Sequence, residues 1–238
     1  MDFFSHLLLG FVLGQALQLD GSVQIILIVS SVILDVDAIS IRGWKTSFGF
    51  HRGPLHSILS AILFSLLIGM IYSFSMHLPV TVFISVVSIC FAGLLIHIFL
   101  DLLTSGGIKV LWPFSSEKFT LNLAHFVDPI IFGVLLITSI LIALLNCNIK
   151  IIRTVAILAT ALLTVNFGVR CYERNAAIKT VKQLNPRASS ETVALPTIRP
   201  DRWSVIAKTP FENGYRYEMY SVDSVRKNIL SKTTVESP

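Results

Sequence analysis

Long apolar runs separated by short polar segments make up most of the chain, and they constrain its fold more than any other feature. A helix needs about 20 apolar residues to cross a bilayer, because backbone polar groups cannot stay unpaired in hydrocarbon. Four runs are long enough, over residues 55–76, 79–104, 125–145 and 149–169. We therefore expect an all-α polytopic membrane helical bundle with four long spans.

Two shorter apolar runs precede these spans, over residues 3–19 and 23–34. The residues between them, Asp20, Gly21 and Ser22, are typical of a turn. As helices the two runs reach only roughly 18 to 25 Å, since each residue adds about 1.5 Å. We predict a short N-terminal helical hairpin that packs against the long spans.

The composition agrees with a membrane protein, because 53% of the residues are hydrophobic and only 14% are charged. The mean hydropathy is +0.74, whereas soluble domains carry about a quarter of charged residues. The formal net charge of +5 does not predict nucleic-acid binding, because the basic residues flank the apolar runs as the positive-inside rule requires. Membrane lipids are the expected partners, and no nucleic acid is expected.

Basic residues also predict the orientation of the chain. If the hairpin returns the chain to its starting side, residues 36–54, 105–124 and those after 169 share one face of the membrane. That face carries most of the loop lysines and arginines: Arg42, Lys45, Arg52, Lys109, Lys118, Arg170, Arg174 and Lys179. We predict a multi-pass protein of the inner membrane with this face and the C-terminus in the cytoplasm.

The tail has a different composition from the membrane-embedded part, which we place at residues 1–172. Residues 173–199 are predicted to form a polar linker. Residues 200–223 alternate as two strands around Asn213 and Gly214, which predicts a small cytoplasmic β-hairpin. Residues 224–238 are predicted to be a flexible tail.

Histidines and aspartates gather at the ends of the apolar runs that this topology places in the cytoplasm. Ionisable residues are costly there and mark function, and histidine with aspartate is a common ligand set for divalent cations. We predict that one or two divalent ions bind six residues: His6, Asp35, Asp37, His56, His97 and Asp101.

Spacing supports some of these ligands better than others. His97 and Asp101 are four residues apart, so both side chains project from one face of a helix. Asp35 and Asp37 end an apolar run. The sequence is equally compatible with a cation bound between the two carboxylates and with two solvated carboxylates at a helix end.

A polar cluster around residue 54 predicts the substrate-binding part of the site. Arg52 precedes a helix expected to start near Leu55, and both an arginine and a helix N-terminus favour an anion. The alternative is that Arg52 anchors the loop to lipid headgroups. The predicted substrate contacts are His51, Arg52, Ser57 and Thr104.

Five short motifs, taken in order, resemble the YdjM-like family of membrane-bound proteins assigned as metal-dependent hydrolases. They are His6-x-x-x-Gly10, Asp35-x-Asp37, His51-Arg52-Gly53-x-x-His56-Ser57, His97-x-x-x-Asp101-x-x-Thr104-x-x-Gly107 and Trp112-Pro113-Phe114. The resemblance implies an integral membrane protein with a metal centre, zinc or alternatively manganese, and hydrolase activity. The His97-x-x-x-Asp101 element is also similar to the metal-binding helix of zinc-dependent phospholipases C and single-strand nucleases, which implies phosphoester chemistry.

These observations together predict a metal-dependent hydrolase that activates water at the cytoplasmic membrane face and cleaves a phosphoester or a lipid-linked substrate. Arg52 would stabilise developing charge, and Asp101 or Asp37 would accept a proton if it is not bound to the metal. Two alternatives stay open, a carrier of metal ions or protons and a membrane scaffold with a structural metal.

Overall fold

The computed structural model of the protein describes residues 1–39, 52–144, 148–188, 191–211 and 214–237. Within those ranges, the side chains of residues 37–39, 211, 214, 236 and 237 are not described. His51, one of the predicted substrate contacts, lies outside the described residues.

Six α-helices form the membrane part of the described chain. They are α1 (Phe3–Ala16), α2 (Gly21–Val32), α3 (Ile58–Ser75), α4 (Val80–Leu103), α5 (Pro129–Leu144) and α6 (Ile149–Leu184). Two 3₁₀ segments, Ile33–Ile39 and Pro54–His56, follow α2 and precede α3. The helices α1 and α2 are short and pack against each other, as the hairpin prediction requires.

Three of these helices, α3, α4 and α6, are long and apolar enough to cross a membrane. The prediction of four long spans is therefore not confirmed. The predicted span over residues 125–145 begins its helix at Pro129 instead of His125. The reason is that the Asp128 carboxylate accepts hydrogen bonds from the backbone N–H groups of Ile130 and Ile131. This N-cap fixes where α5 starts and leaves it with 16 residues.

Helix α4 lies between two apolar clusters and belongs to both. In the first, its Leu100 and Leu103 pack with residues of α1, α5 and α6, such as Leu135. In the second, its Cys90 and Leu94 pack with residues of α2 and α3. The C-terminal end of α4, which carries His97 and Asp101, is therefore surrounded by other helices.

Gly10 lets α1 approach α2 closely. A Cβ built at this position would lie 2.6 Å from the Ser31 hydroxyl oxygen and 3.3 Å from the Cα of Ile28, too close for any side chain. The Ser31 hydroxyl also donates a hydrogen bond to the backbone carbonyl of His6 at 3.1 Å. Because Gly10 has no side chain, the first turns of α1 can pack closely against the end of α2.

The C-terminal region forms a four-stranded antiparallel sheet in the order β1 (Val193–Pro196), β2 (Arg202–Phe211), β3 (Gly214–Asp223) and β4 (Asn228–Ser237). The predicted two-stranded hairpin is the β2–β3 part of it. The prediction that residues 224–238 are a flexible tail is wrong, because β4 pairs with β3 along its length. The predicted linker 173–199 likewise contains the end of α6 and all of β1.

The sheet packs on the C-terminal part of α6. Ala177 and Val181 of α6 meet Trp203 and other buried residues of the sheet in a third apolar cluster. Trp203 is fully buried. An isolated hairpin is marginal in water, and this cluster supplies the burial that makes the sheet stable.

Candidate metal centre

Three histidines from three different elements meet at one end of the bundle. The rings of His6 on α1 and His97 on α4 stack with centroids 3.9 Å apart. His56, in the 3₁₀ turn before α3, places its Nε2 atom 3.2 Å from Nε2 of His97. All three side chains are fully buried.

Asp101 lies among these histidines, one helical turn after His97. Its Oδ2 atom is 3.4 Å from Nε2 of His56 and 3.7 Å from Nε2 of His97. Its Oδ1 atom is 3.5 Å from Nε2 of His6 and also contacts the Met1 amino group. The predicted pairing of His97 with Asp101 on one helix face is confirmed by these positions.

Asp35 supplies a second carboxylate from the 3₁₀ segment after α2. Its Oδ1 atom lies 3.6 Å from Nε2 of His97, and its side chain is 11% exposed. The backbone of Asp37 lies in the same segment, but its side chain is outside the described part of the structure. The role of Asp37 as ligand or proton acceptor therefore stays a prediction.

The ring of His97 is oriented by a backbone contact. Its Nδ1 atom is 2.8 Å from the carbonyl oxygen of Ser31. A carbonyl can only accept, so Nδ1 carries the proton and Nε2 presents its lone pair towards His56, Asp35 and Asp101. Histidines that bind metals are commonly held by such a second hydrogen bond.

The spacing of the donor atoms fits a divalent cation. Zinc binds nitrogen and oxygen at about 2.0 to 2.1 Å, so two ligands of a tetrahedral site lie roughly 3.3 to 3.4 Å apart. The separations of 3.2 to 3.7 Å around His97 are close to this value. Two groups of three ligand atoms each lie within 4.8 Å of one another, His6 with Asp35 and His97, and His56 with His97 and Asp101.

His6 gives an independent indication that a ligand belongs there. Neither of its ring nitrogens has a hydrogen-bond partner among the described residues, although the ring is fully buried. A buried polar group without a partner costs about 1 to 3 kcal/mol. The donor set and these two ring nitrogens without a hydrogen bond together fit a bound divalent cation. The geometry does not determine which metal it is.

Arg52 joins the carboxylate to the neighbouring loop. Its Nη2 atom donates to Oδ1 of Asp101 at 3.0 Å, and its Nη1 atom donates to the hydroxyl of Thr104 at 2.7 Å. Its guanidinium also lies 5.5 Å from the centre of the Phe126 ring. Two of the predicted substrate contacts, Arg52 and Thr104, are therefore brought together beside the predicted metal ligands.

Ser57 lies close by but is engaged in the start of α3. Its hydroxyl oxygen accepts a hydrogen bond from the backbone N–H of Ser60 at 3.1 Å, which makes it the N-cap of that helix. The helix itself begins at Ile58 and not near Leu55. A contact between Ser57 and substrate stays a prediction.

Asp128 lies at the same end of the bundle, but its contacts stabilise the fold. Its Oδ2 atom accepts a hydrogen bond from Nη2 of Arg170 at 2.7 Å, and both side chains are buried. Arg170 also donates to the carbonyl oxygen of Pro200, which ties the sheet to the helices. This acid supports the fold around the site and belongs to neither group of candidate ligands among the described residues.

Sequence reasoning missed two groups beside the site, the Ser31 carbonyl that orients His97 and the Met1 amino group that contacts Asp101. Both are backbone groups, so no side-chain pattern could have indicated them. It also missed Lys118 as part of a cavity next to Arg52. That position follows from loop pairing and has no signal in the local sequence.

Comparison with protein families gives one result. The family model described as YdjM inner membrane protein matches residues 1–177, which include every predicted metal ligand and end before the sheet. The chain therefore belongs to this family, and the resemblance seen in the sequence motifs is confirmed. Comparison with curated proteins and with solved structures finds no match.

Proposed function

We propose that this member of the YdjM inner membrane protein family is a membrane-bound metal-dependent hydrolase that acts on a phosphoester at the cytoplasmic membrane face. The observation that carries the proposal is the meeting of three buried histidines with Asp35 and Asp101 at donor separations that suit a divalent cation. If Asp101 served only to form a buried ion pair with Arg52, the three histidines around it would have no role.

The proposed ligands come from elements that are distant in the chain. His6, Asp35, His56 and the pair His97 and Asp101 lie on different helices or turns. Their positions depend on the packing of α1, α2 and α3 around α4. Zinc is the metal we propose, since histidine with carboxylate suits it, and manganese is the alternative.

A divalent cation in such a centre supplies Lewis-acid activation of water at neutral pH. Arg52 holds Asp101 in place through Nη2 and turns Nη1 towards Thr104 and the loop that follows α4. A guanidinium in this place would bind a phosphoryl oxygen and stabilise the charge that develops on it. Whichever of Asp101 and Asp37 does not bind the cation would accept the proton from the attacking water.

The orientation of the site is part of the proposal. The site lies at the same end of the helices as the sheet, since Arg52 and Thr104 line one cavity together with Leu195 and Ser204. The basic loops predict that this end faces the cytoplasm. The substrate would then be a phosphoester at or near the inner surface of the membrane.

The test is the metal content of the detergent-purified protein, measured by elemental analysis. We expect one or two equivalents of zinc or manganese in the wild type, and less than a tenth of this in the His97→Ala, Asp101→Ala double variant, since loss of two ligands weakens binding by far more than about tenfold. His77→Ala is the matched control, because His77 lies in the turn between α3 and α4 at the other end of the bundle. It should retain the wild-type metal content.

The metal-loaded wild type is then assayed on phosphodiesters and phosphomonoesters. Metal in the wild type with no hydrolysis of any of these would favour a carrier or a structural metal. Wild-type protein that neither contains metal nor takes it up would remove the basis of the proposal.

A further inference from the structure

We propose that the cavity between the loop after α4 and the C-terminal sheet binds the phosphate group of the substrate, through Arg52 and Lys118, and that the sheet limits the size of what the phosphate carries. This inference rests on the proposed function for its link to catalysis. The binding itself is a separate property and is tested separately.

The cavity has a volume of about 600 Å³, which lies within the usual range of ligand sites, about 300 to 1,000 Å³. Its walls come from two parts of the chain. The membrane part contributes the loop after α4 and Phe126, and the sheet contributes Leu195, Pro196 and Ser204.

The polar groups of the lining suit an anion. Arg52 and Lys118 are cationic, and His125 adds a ring that can donate a hydrogen bond. Thr104 and Ser105 add hydroxyl groups beside them. No acidic residue is among the described residues that line the cavity. Arg52 already donates to Asp101 behind the cavity, so Lys118 is the cation of the lining on which the test below depends.

Backbone pairing brings Lys118 to the cavity. Ile108 and Phe119 form an antiparallel bridge, with N–H to O distances of 3.0 and 2.9 Å in the two directions. This pairing places Lys118 next to Gly107. The lysine therefore lies across the loop from Arg52, although 66 residues separate the two in sequence.

Arg52 connects the cavity to the metal centre. One side of its guanidinium donates to Asp101, and the other reaches Thr104 and the backbone of Gly106. An anion held by Arg52 and Lys118 would thus lie beside the predicted metal ligands, as a phosphoryl group needs to for attack by an activated water.

The apolar walls indicate what else the ligand carries. Phe126, Leu195 and Pro196 add apolar surface to the lining of the cavity. A phosphoester with a small organic group would bury that group against them. Such a phosphate could come from a soluble phosphoester or from the headgroup of a lipid, and the two sources are separated below.

The test uses the full-length protein in detergent, freed of metal with a chelator, so that phosphate cannot bind to a cation. Isothermal titration calorimetry with inorganic phosphate and with phenyl phosphate measures binding to the wild type. Lys118→Gln should weaken both about tenfold, which is the scale of one charged hydrogen bond. Lys109→Gln is the matched control, since Lys109 lies on the same loop and outside the cavity lining, and it should bind as the wild type does.

The sheet wall is tested with Ser204→Trp, which fills the cavity from β2. Binding of phenyl phosphate should fall about tenfold or more, while binding of inorganic phosphate stays within about twofold, as expected for a pocket that discriminates by size. Retained phosphate binding also shows that this variant is folded.

The source of the phosphate is distinguished in bilayers of phosphatidylcholine with and without phosphatidic acid. If the site takes a lipid headgroup, phosphatidic acid lowers the apparent affinity for inorganic phosphate; if it takes a soluble phosphoester, phosphatidic acid has no effect and phenyl phosphate competes.

Equal weakening in Lys118→Gln and Lys109→Gln, or no phosphate binding by the wild type, would overturn the inference. If the wild type is purified with its metal but binds no phosphate after the metal is removed, the proposed metal centre stands and only the proposed phosphate cavity is contradicted. If the wild type binds phosphate but never takes up metal, the phosphate cavity is supported and the proposed metal-dependent hydrolase is contradicted.

Discussion

Asp101 shows how one residue is fixed by several distant parts of the chain. Its two oxygens contact the side chains of His56 and Arg52 and lie near His6. A fully buried carboxylate is tolerated only when such partners compensate for lost hydration. Because the same oxygens face the histidine rings, the arrangement that stabilises Asp101 is also the one that offers it to a cation.

The position of Arg52 depends on the absence of a side chain at Gly106. A Cβ built there would collide with Nη1 of Arg52, so Gly106→Ala should push the guanidinium away from Thr104. We expect the variant to keep its metal, since Gly106 is no predicted ligand. Its kcat/KM for a phosphoester should fall on the order of 10²-fold, the usual cost of losing one donor to a developing charge.

The control for this prediction is Gly133→Ala on α5, where a Cβ would meet nothing within 4 Å. It should leave both metal content and kcat/KM unchanged. An equal loss of activity in the two variants would mean that the contact of Gly106 with Arg52 has no special role.

At the scale of the elements, a buried ion pair fixes the junction of two helices with the sheet. Asp128 caps α5 and pairs with Arg170 of α6, whose guanidinium also contacts the carbonyl of Pro200 and lies 5.8 Å from the Trp203 ring. Removing one member would leave an uncompensated buried charge.

We therefore expect Asp128→Ala to lower the free energy of unfolding by about 3 to 5 kcal/mol. The comparison is Asp201→Ala, which removes the exposed pair of Asp201 with Arg199 and should cost less than about 1 kcal/mol. Thermal unfolding followed by circular dichroism in detergent would measure both. Similar midpoints for the two variants would contradict the structural role of Asp128.

At the scale of the whole molecule, Glu218 links the sheet to the end of the last helix. Its carboxylate accepts hydrogen bonds from Asn185 after α6, at 2.6 Å, and from Tyr220, at 2.7 Å, and it pairs with Lys232 of β4, at 2.7 Å. Burial raises the pKa of Glu218. The hydrogen bonds from Lys232, Tyr220 and Asn185 together lower it by more than burial raises it, so the pKa lies below its ordinary value of 4.5.

A carboxyl with a lowered pKa in the folded state stabilises that state fully above its unfolded pKa. This contribution is lost as the pH falls through the lower folded value. We expect the sheet to loosen below about pH 4.5, with a rise in the solvent exposure of Trp203 that fluorescence would report. In Glu218→Gln this part of the pH dependence should disappear, and an unchanged acid transition would show that other groups control it.

The sequence by itself determined the class of fold and most of the candidate ligands of the metal centre. Apolar runs identify the helices because a bilayer requires length and apolarity, both of which are local properties. The residue types at His97 and Asp101, and their spacing on one helix, indicated a metal ligand pair for the same reason. The family assignment followed from the order of such motifs.

Only the tertiary structure decided where helices start, which residues meet and what closes the site. The third of the long apolar runs starts its helix at Pro129, where one oxygen of Asp128 caps it, and the other oxygen of Asp128 is held by Arg170, 42 residues away. Residues 228–237 form a strand because β3 provides a pairing edge, although their own composition predicts a frayed tail. Lys118 reaches the cavity through a backbone bridge. Long-range contacts of this kind depend on packing and on hydrogen bonds between distant segments, and neither is encoded in local periodicity.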